Sequence, residues 1–173
     1  HLQLRPMLPA DLDAVVALDA ATYEGSAHTP WTRTMFASEL TQPQRSWWVA
    51  HDQGRVIGFA GGRLAGADFE VLDVVVSADH RRRHVASRLV ARVAYDGQAF
   101  GASTISLEVD EHNAAGQALY GSLGFVKVGE RPGYFGPDAK GKSHTALILQ
   151  AKLPLQADAK LMAQLPEPSA SIR

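Results

Sequence analysis

The stretch that most limits what this chain can fold into is Val74-Val75-Val76-Ser77-Ala78-Asp79-His80-Arg81-Arg82-Arg83-His84-Val85-Ala86-Ser87-Arg88-Leu89. A β-branched strand runs into a short basic turn, and the turn opens a helix that continues to Phe100 with Val85, Leu89, Val90 and Val93 at helical period. The first turn of a helix carries unpaired N–H groups and the positive end of its dipole. Such a junction can cradle a pyrophosphate without a metal. A basic, solvated helix start has the same composition, and that reading stands beside it. A nucleic-acid patch fits less well, because no aromatics interleave with the basic run.

The remaining pattern predicts a mixed α/β domain. Leu2 to Arg5 alternates as a short strand, and Asp11 is placed to cap a helix carrying Leu12, Val15, Val16 and Leu18 on one stripe. Gly25 to Trp31 reads as a loop, with Pro30 starting a second helix that carries Met35, Phe36 and Leu40. Trp47 to His51 and Arg55 to Gly61 read as strands joined by Asp52-Gln53-Gly54, with a further turn over Gly61 to Gly66 and a strand from Phe69 to Val76. Trp47 and Trp48 are expected to be core and surface neighbours. Ser103 to Val109 is a strand, Asn113 to Leu123 a helix ended by Gly124, and Phe125 to Glu130 pairs with Thr145 to Leu149 across a Gly/Pro-rich loop. The domain is expected over residues 1–152, with an Ala/Pro/Ser-rich tail over 153–173 that promises little structure.

Composition narrows the function classes. The 173 residues carry a net charge of −1, which argues against a protein that works by coating itself in nucleic acid. There is no cysteine, so thiolate metal sites and a cysteine nucleophile are excluded. The histidines show no metal-ligand spacing in the sequence. No apolar run approaches the roughly 20 residues of a membrane span, and no basic-then-apolar leader is visible. The expectation is a cytoplasmic protein, monomer or homodimer, without a membrane or nucleic-acid partner.

A second constellation is Leu107-Glu108-Val109-Asp110-Glu111-His112-Asn113-Ala114-Ala115-Gly116-Gln117-Ala118-Leu119-Tyr120-Gly121-Ser122-Leu123-Gly124-Phe125. Glu108 lies near a strand end, Asn113 is a plausible N-cap, and Tyr120 follows seven residues on, sharing its helical face. Leu119 and Leu123 fall toward the core. A tyrosine two turns into a helix is by itself as readily a packing residue.

These two segments carry a resemblance. The first resembles motif A of the GNAT superfamily, in which Gln/Arg-x-x-Gly-x-Gly/Ala wraps the diphosphate of acetyl-CoA. Arg81 matches the first position, Ala86 the last, and His84 stands where the family has its first glycine. Histidine tolerates left-handed backbone better than most non-glycine residues, so the loop is expected to keep its shape with some strain. The second segment closely resembles motif B of the RimI-type protein N-terminal acetyltransferases. The likeness runs from roughly Pro30 to Leu149, taking in Pro30-Trp31…Phe36 and the paired aromatics Tyr134-Phe135.

The resemblance implies a GNAT fold, with a mostly antiparallel twisted sheet and flanking helices, and acetyl-CoA as cosubstrate without a metal. It implies that Arg81 and the amides of Arg82, Arg83, His84, Val85, Ala86 and Ser87 bind phosphate. Val74, Val75 and Val76 then lie along the pantetheine arm, and Asn113 and Tyr120 also approach the cofactor. Glu108 would be general base and Tyr120 general acid, with a backbone N–H of Val75 or Val76 polarising the thioester. Trp31, Glu70 and Tyr134 would face the acceptor.

Glu70 is a competing base, since it matches the position used in histone-type GNAT enzymes. On a regularly alternating strand it shares a face with Leu72, Val74 and Val76, with Asp73 structural on the other; a surface carboxylate is the plain alternative. The implied acceptor is a protein α-amine, by likeness the N-terminal alanine of a small-subunit ribosomal protein. A small-molecule amine or lysine acceptor, or a degenerate acyl-CoA-binding regulatory module, are the other readings.

Overall fold

The structure, a computed structural model, describes residues 2–81 and 84–155. Strands β1 (Leu2–Pro6), β2 (Arg45–Asp52), β3 (Arg55–Ala65), β4 (Asp68–Val76), β5 (Thr104–Asp110), β6 (Val126–Arg131) and β7 (Ala146–Lys152) form one seven-stranded sheet in the order β1-β2-β3-β4-β5-β7-β6. Helices α1 (Leu12–Tyr23) and α2 (Arg33–Thr41) follow β1, α3 (Val85–Ala99) joins β4 to β5, and α4 (Ala114–Ser122) follows β5. Every strand pair is antiparallel except β4–β5. This is the mixed α/β, mostly antiparallel architecture expected from the sequence.

Local chemistry explains the connections. Gln53 and Gly54 both have positive φ (51° and 78°) between paired Asp52 and Arg55, which is the two-residue turn that suits strand twist. The second helix begins later than Pro30: Thr32 caps it, its side chain accepting from Met35 N. Asp11 makes no side-chain cap. Its carboxylate accepts from Leu8 N at 2.8 Å and from both Arg5 Nη atoms at 2.7 and 2.8 Å, fastening the end of β1 to the start of α1.

Two apolar clusters sandwich the sheet. One gathers Val85, Leu89, Val90 and Val93 of α3 with Phe69, Ile105, Leu107, Val109, Tyr120 and Leu123. The other gathers Leu12 and Val15 of α1 and Phe36 of α2 with Trp47, Val49, Phe59 and Val75. With both faces covered, Trp48 is no surface neighbour of Trp47; both are buried, one in each cluster. Leu155, past the expected boundary at 152, is buried in the first cluster. The tail from residue 156 onward lies outside the described residues.

Gly61 and Gly62 do not turn the chain. They lie inside β3, where a Cβ on Gly61 would sit 1.9 Å from the Trp47 ring and one on Gly62 would sit 2.1 Å from the Glu70 carbonyl oxygen. The turn comes at Gly66 and Ala67. Close approach of side chain and backbone, and not backbone reversal, requires the glycine pair. Beside it the register shifts: Gly61 pairs with Asp73 and Gly62 with Val71, which leaves Leu72 as a bulge in β4. The bulge ends regular alternation. Val71, Val74 and Val76 pack on the α3 side, whereas Leu72 and Val75 pack toward α1 and α2. Glu70 therefore does not share a face with Val74 and Val76.

Helix α3 is fastened to β2 by a buried polar node. Asp96 accepts from Ser46 Oγ at 2.6 Å, Trp48 Nε1 at 2.8 Å and Arg92 Nη2 at 3.0 Å, and Arg92 lies 4.3 Å over the Trp48 ring. Asp96→Ala strips one partner from three buried donors, including a guanidinium. Removing one side of a buried ion pair costs about 3–5 kcal/mol. The melting temperature in a calorimetric scan is expected to fall by roughly 10 °C, at about 2–4 °C per kcal/mol for a chain of this size.

Candidate active site

β4 and β5 run in parallel register at only three pairs, Asp68–Thr104, Phe69–Ile105 and Glu70–Ser106. Asp68 staples this closed end, accepting from Thr104 Oγ1 at 2.8 Å and from Ser106 Oγ. Beyond it the strands part, β4 continuing to Val76 and β5 to Asp110, and a cleft of about 1490 Å³ opens between them. Val74 to Val76, Arg81, His84 to Ser87, Glu108, Asn113, Tyr120, Trp31, Glu70 and Tyr134 all line it. Arg82 and Arg83 lie outside the described residues. The fold thus brings every other site residue suggested by the sequence into one cleft.

The donor end is built by backbone. Ser77 N–H donates to Ile57 O at 2.8 Å, and an antiparallel ladder alternates, so Val75 turns its backbone groups toward β3. Those of Val74 and Val76 point across to the side that β5 has left. Of the two amides expected to face a thioester, the geometry leaves Val76 and removes Val75. His84 then adopts φ 60° and ψ 21°, a left-handed residue at the N-cap of α3. Among the described residues the first helical bond is Arg88 N to His84 O at 3.1 Å, so the amides of Val85, Ala86 and Ser87 belong to the first turn, ahead of the helical ladder. These first-turn amides, the helix dipole and Arg81 on one lip suit a diphosphate.

The left-handed turn makes a prediction. His84→Gly relieves strain on the order of 1 kcal/mol but adds unfolded-state entropy of about the same size. Its melting temperature should stay within about 2 °C of the parent, with calorimetric CoA affinity equal or tighter. His84→Val, β-branched and unsuited to positive φ, should both melt earlier and bind CoA more weakly.

The opposite end is acidic and aromatic. Glu108, on β5 just past the last parallel pair, lies 3.4 Å from Arg131 Nε. Tyr120 is buried, and burial followed by the Asp73 carboxyl raises its hydroxyl well above the ordinary tyrosine value. It therefore carries its proton at neutral pH, as a proton donor must. Glu70 pairs with Arg63 Nε at 3.1 Å, both half-exposed, so its salt bridge is a surface one although the residue borders the cleft. Tyr23 and His28 stack at 4.0 Å, Phe135 lies 5.7 Å from His28, and Tyr134 lies 5.4 Å from Phe135. Trp31 closes this wall against Phe36 and Trp47.

Sequence reasoning missed a buried acid pair. Asp19 and Asp73 are 0% and 5% exposed and face each other; Asp19 Oδ2 accepts from Trp31 N at 2.8 Å and Asp73 Oδ1 from Tyr23 Oη at 3.1 Å, while Asp19 Oδ1 and Asp73 Oδ2 have no hydrogen-bond partner among the described residues. Burial, then the facing Asp19, lifts Asp73 well above the usual carboxylate range, so Asp73 keeps its proton beyond the pH at which a free carboxyl loses it. The folded chain keeps this proton where the unfolded chain has lost it, so its contribution to stability falls as pH rises above about 4. Asp73→Asn keeps a donor toward Asp19 and removes the titration. In urea unfolding from about pH 4 to about pH 8, the variant should gain on the parent as pH rises; a pH-independent difference would contradict a raised Asp73.

With this geometry in view, the comparisons place the chain. Residues 12–125 match the acetyltransferase (GNAT) family. The chain belongs to that family, and its activity is N-acetyl transfer. It is 33% identical over 130 residues to N-alpha-acetyltransferase RimI of Mycobacterium tuberculosis, covering 73% of this chain and 79% of that one. It is 27% identical over 126 residues to the [ribosomal protein bS18]-alanine N-acetyltransferase of Escherichia coli, covering 72% and 84%. An uncharacterized Mycobacterium leprae protein matches at 31% over 133 residues, 75% of this chain but only 36% of that longer one. Among solved structures, the E. coli ribosomal-protein-S18-alanine N-acetyltransferase superposes with a TM-score of 0.76 at 24% identity, over 88% of this chain and 94% of that one. The yncA structure of Salmonella typhimurium with its cofactor acetyl-CoA superposes with a TM-score of 0.75 at 18% identity, over 88% and 94%.

Proposed function

We propose that the chain moves acetyl from acetyl-CoA to the α-amine of a protein N-terminus, with the N-terminal alanine of ribosomal protein bS18 as the favoured acceptor. The observation that carries the reading is that Glu108 and Tyr120 line the same cleft as the phosphate-suited turn at His84 to Ser87. A binding module would need the turn but not the acid–base pair. The names of the M. tuberculosis and E. coli relatives support the acceptor class. A cytoplasmic location belongs to the same proposal; among the described residues no helix is long and apolar enough to cross a membrane.

Acetyl-CoA supplies an activated thioester; the chain's own groups do the rest. The amides of His84 to Ser87 with Arg81 hold the diphosphate, and the Val76 amide is offered to the acyl oxygen. Glu108, directly or through water, takes the proton of the attacking amine. An α-amine with pKa near 8 costs only about 1.4 kcal/mol to deprotonate at neutral pH, whereas lysine near 10.4 costs several. Tyr120 holds the proton for the departing sulfur. Asn113 caps α4, accepting from Gly116 N at 2.9 Å, and so fixes the helix that carries Tyr120. Trp31 and Tyr134 bound the acceptor.

The second reading makes Glu70 the base for a lysine or small-molecule amine; its place on the cleft wall favours it, and its pairing with Arg63 opposes it. Tyr120→Phe should lower kcat by about 10²–10⁴-fold with little change in acetyl-CoA affinity. Glu108→Gln should lose most activity at neutral pH and regain part of it as pH rises and the α-amine loses its proton unaided. Glu70→Gln should act modestly. The test is kcat/KM against pH for an α-amine peptide and for a lysine peptide with a blocked N-terminus. An unchanged Glu108→Gln profile beside an inactive Glu70→Gln enzyme would transfer the role of base to Glu70, and preference for the blocked lysine peptide would overturn the acceptor.

A further inference from the structure

The histidines that show no ligand spacing in the sequence are brought together by the fold. Asp110 ends β5, His112 lies two residues on, and His144 closes the loop before β7. One ligand atom from each lies within 4.8 Å of the others, and the two imidazole rings meet edge to face at 4.9 Å. Tetrahedral ligands about 2.0–2.2 Å from a metal stand roughly 3.5 Å apart. An ion would draw the exposed His112 ring inward and part the short His144–Asp110 contact to that spacing.

The surroundings are those of an oriented ligand set. Asp138 Oδ1 accepts from the amides of Lys140 and Lys142, both at 2.9 Å, and its Oδ2 lies 2.8 Å from His144 Nε2. A carboxylate accepts, so Nε2 carries the hydrogen, and the ring is held with Nδ1 against the Asp110 carboxylate. This is the carboxylate–histidine arrangement that orients metal-bound imidazoles. Two imidazoles and one carboxylate select a borderline ion such as Zn²⁺, Ni²⁺ or Co²⁺ over Mg²⁺ or Ca²⁺.

We propose that Asp110, His112 and His144 form a binding site for a divalent transition-metal ion, with Zn²⁺ the leading occupant and Asp138 orienting His144. The site lies at the rim of the cleft, to which Asp110 and His112 both contribute. An ion there fastens the loop that carries Tyr134 and Phe135 to the end of β5, and so sets the acceptor wall without entering the chemistry of transfer.

The experiment titrates Zn²⁺ into tag-free, chelator-treated protein by calorimetry, with Co²⁺ followed by its visible d–d absorption as a second probe. One ion per chain at micromolar or tighter affinity is expected, with Co²⁺ giving a four-coordinate spectrum. His112→Gln, at an exposed position that folding does not depend on, should weaken Zn²⁺ at least tenfold. His144→Gln should do the same, and Asp138→Asn should weaken it by about 10–100-fold without changing the stoichiometry. Binding no tighter than millimolar, or tight binding that His112→Gln leaves unchanged, overturns the site. Neither result depends on the acceptor or on acetyl transfer.

Discussion

Everything functional in this molecule depends on a parallel strand pair that is stopped short. β4 and β5 are joined at three residue pairs, stapled by Asp68 to Thr104 and Ser106, and then separate. Two half-empty strand edges would ordinarily be a liability, because unpaired backbone groups away from water are costly. Here the separation is enforced from both sides. β4 is bent by the Leu72 bulge and stays paired with β3 to its last residue, while β5 stays paired with β7 along its whole length. Each strand is satisfied on its outer edge, so the inner edges are free to line a cleft.

The cleft is divided electrostatically. Its donor end collects helix-terminal amides and Arg81, which suit an anion. Its other end collects Glu108, Glu70 and Asp73 beside an aromatic wall, which suits a cation. The rigidity of the donor end comes from far off: Asp96 holds α3 against β2, and the apolar face of α3 buries Val85, Leu89, Val90 and Val93. Positive φ at His84 is tolerated because the helix that follows is fixed by these contacts.

What the sequence made legible was local. The strand–turn–helix junction and the Asn113 cap each lie within one short stretch of chain, and the structure has them as read. What it hid was tertiary. The bulge at Leu72 follows from close packing of Gly61 and Gly62 under Trp47 and against the Glu70 carbonyl, and a glycine pair read without its neighbours looks like a turn. Asp11 resembles a cap until Arg5 is seen to claim both carboxylate oxygens. Asp73 looked structural because its partners Asp19 and Tyr23 come from α1, and His112 met His144 only when β7 returned beside β5.

The central claim is that the gap between β4 and β5, closed at one end by the left-handed His84 turn, is where the acyl donor is held. Backbone amide resonances followed by NMR during titration with CoA test it most directly. The account predicts that Val74, Val76 and His84 to Ser87 shift most and together, saturating at one equivalent, while β1 and β6 stay still. Saturable binding whose largest shifts fall elsewhere, or no shift at His84 to Ser87, would contradict it.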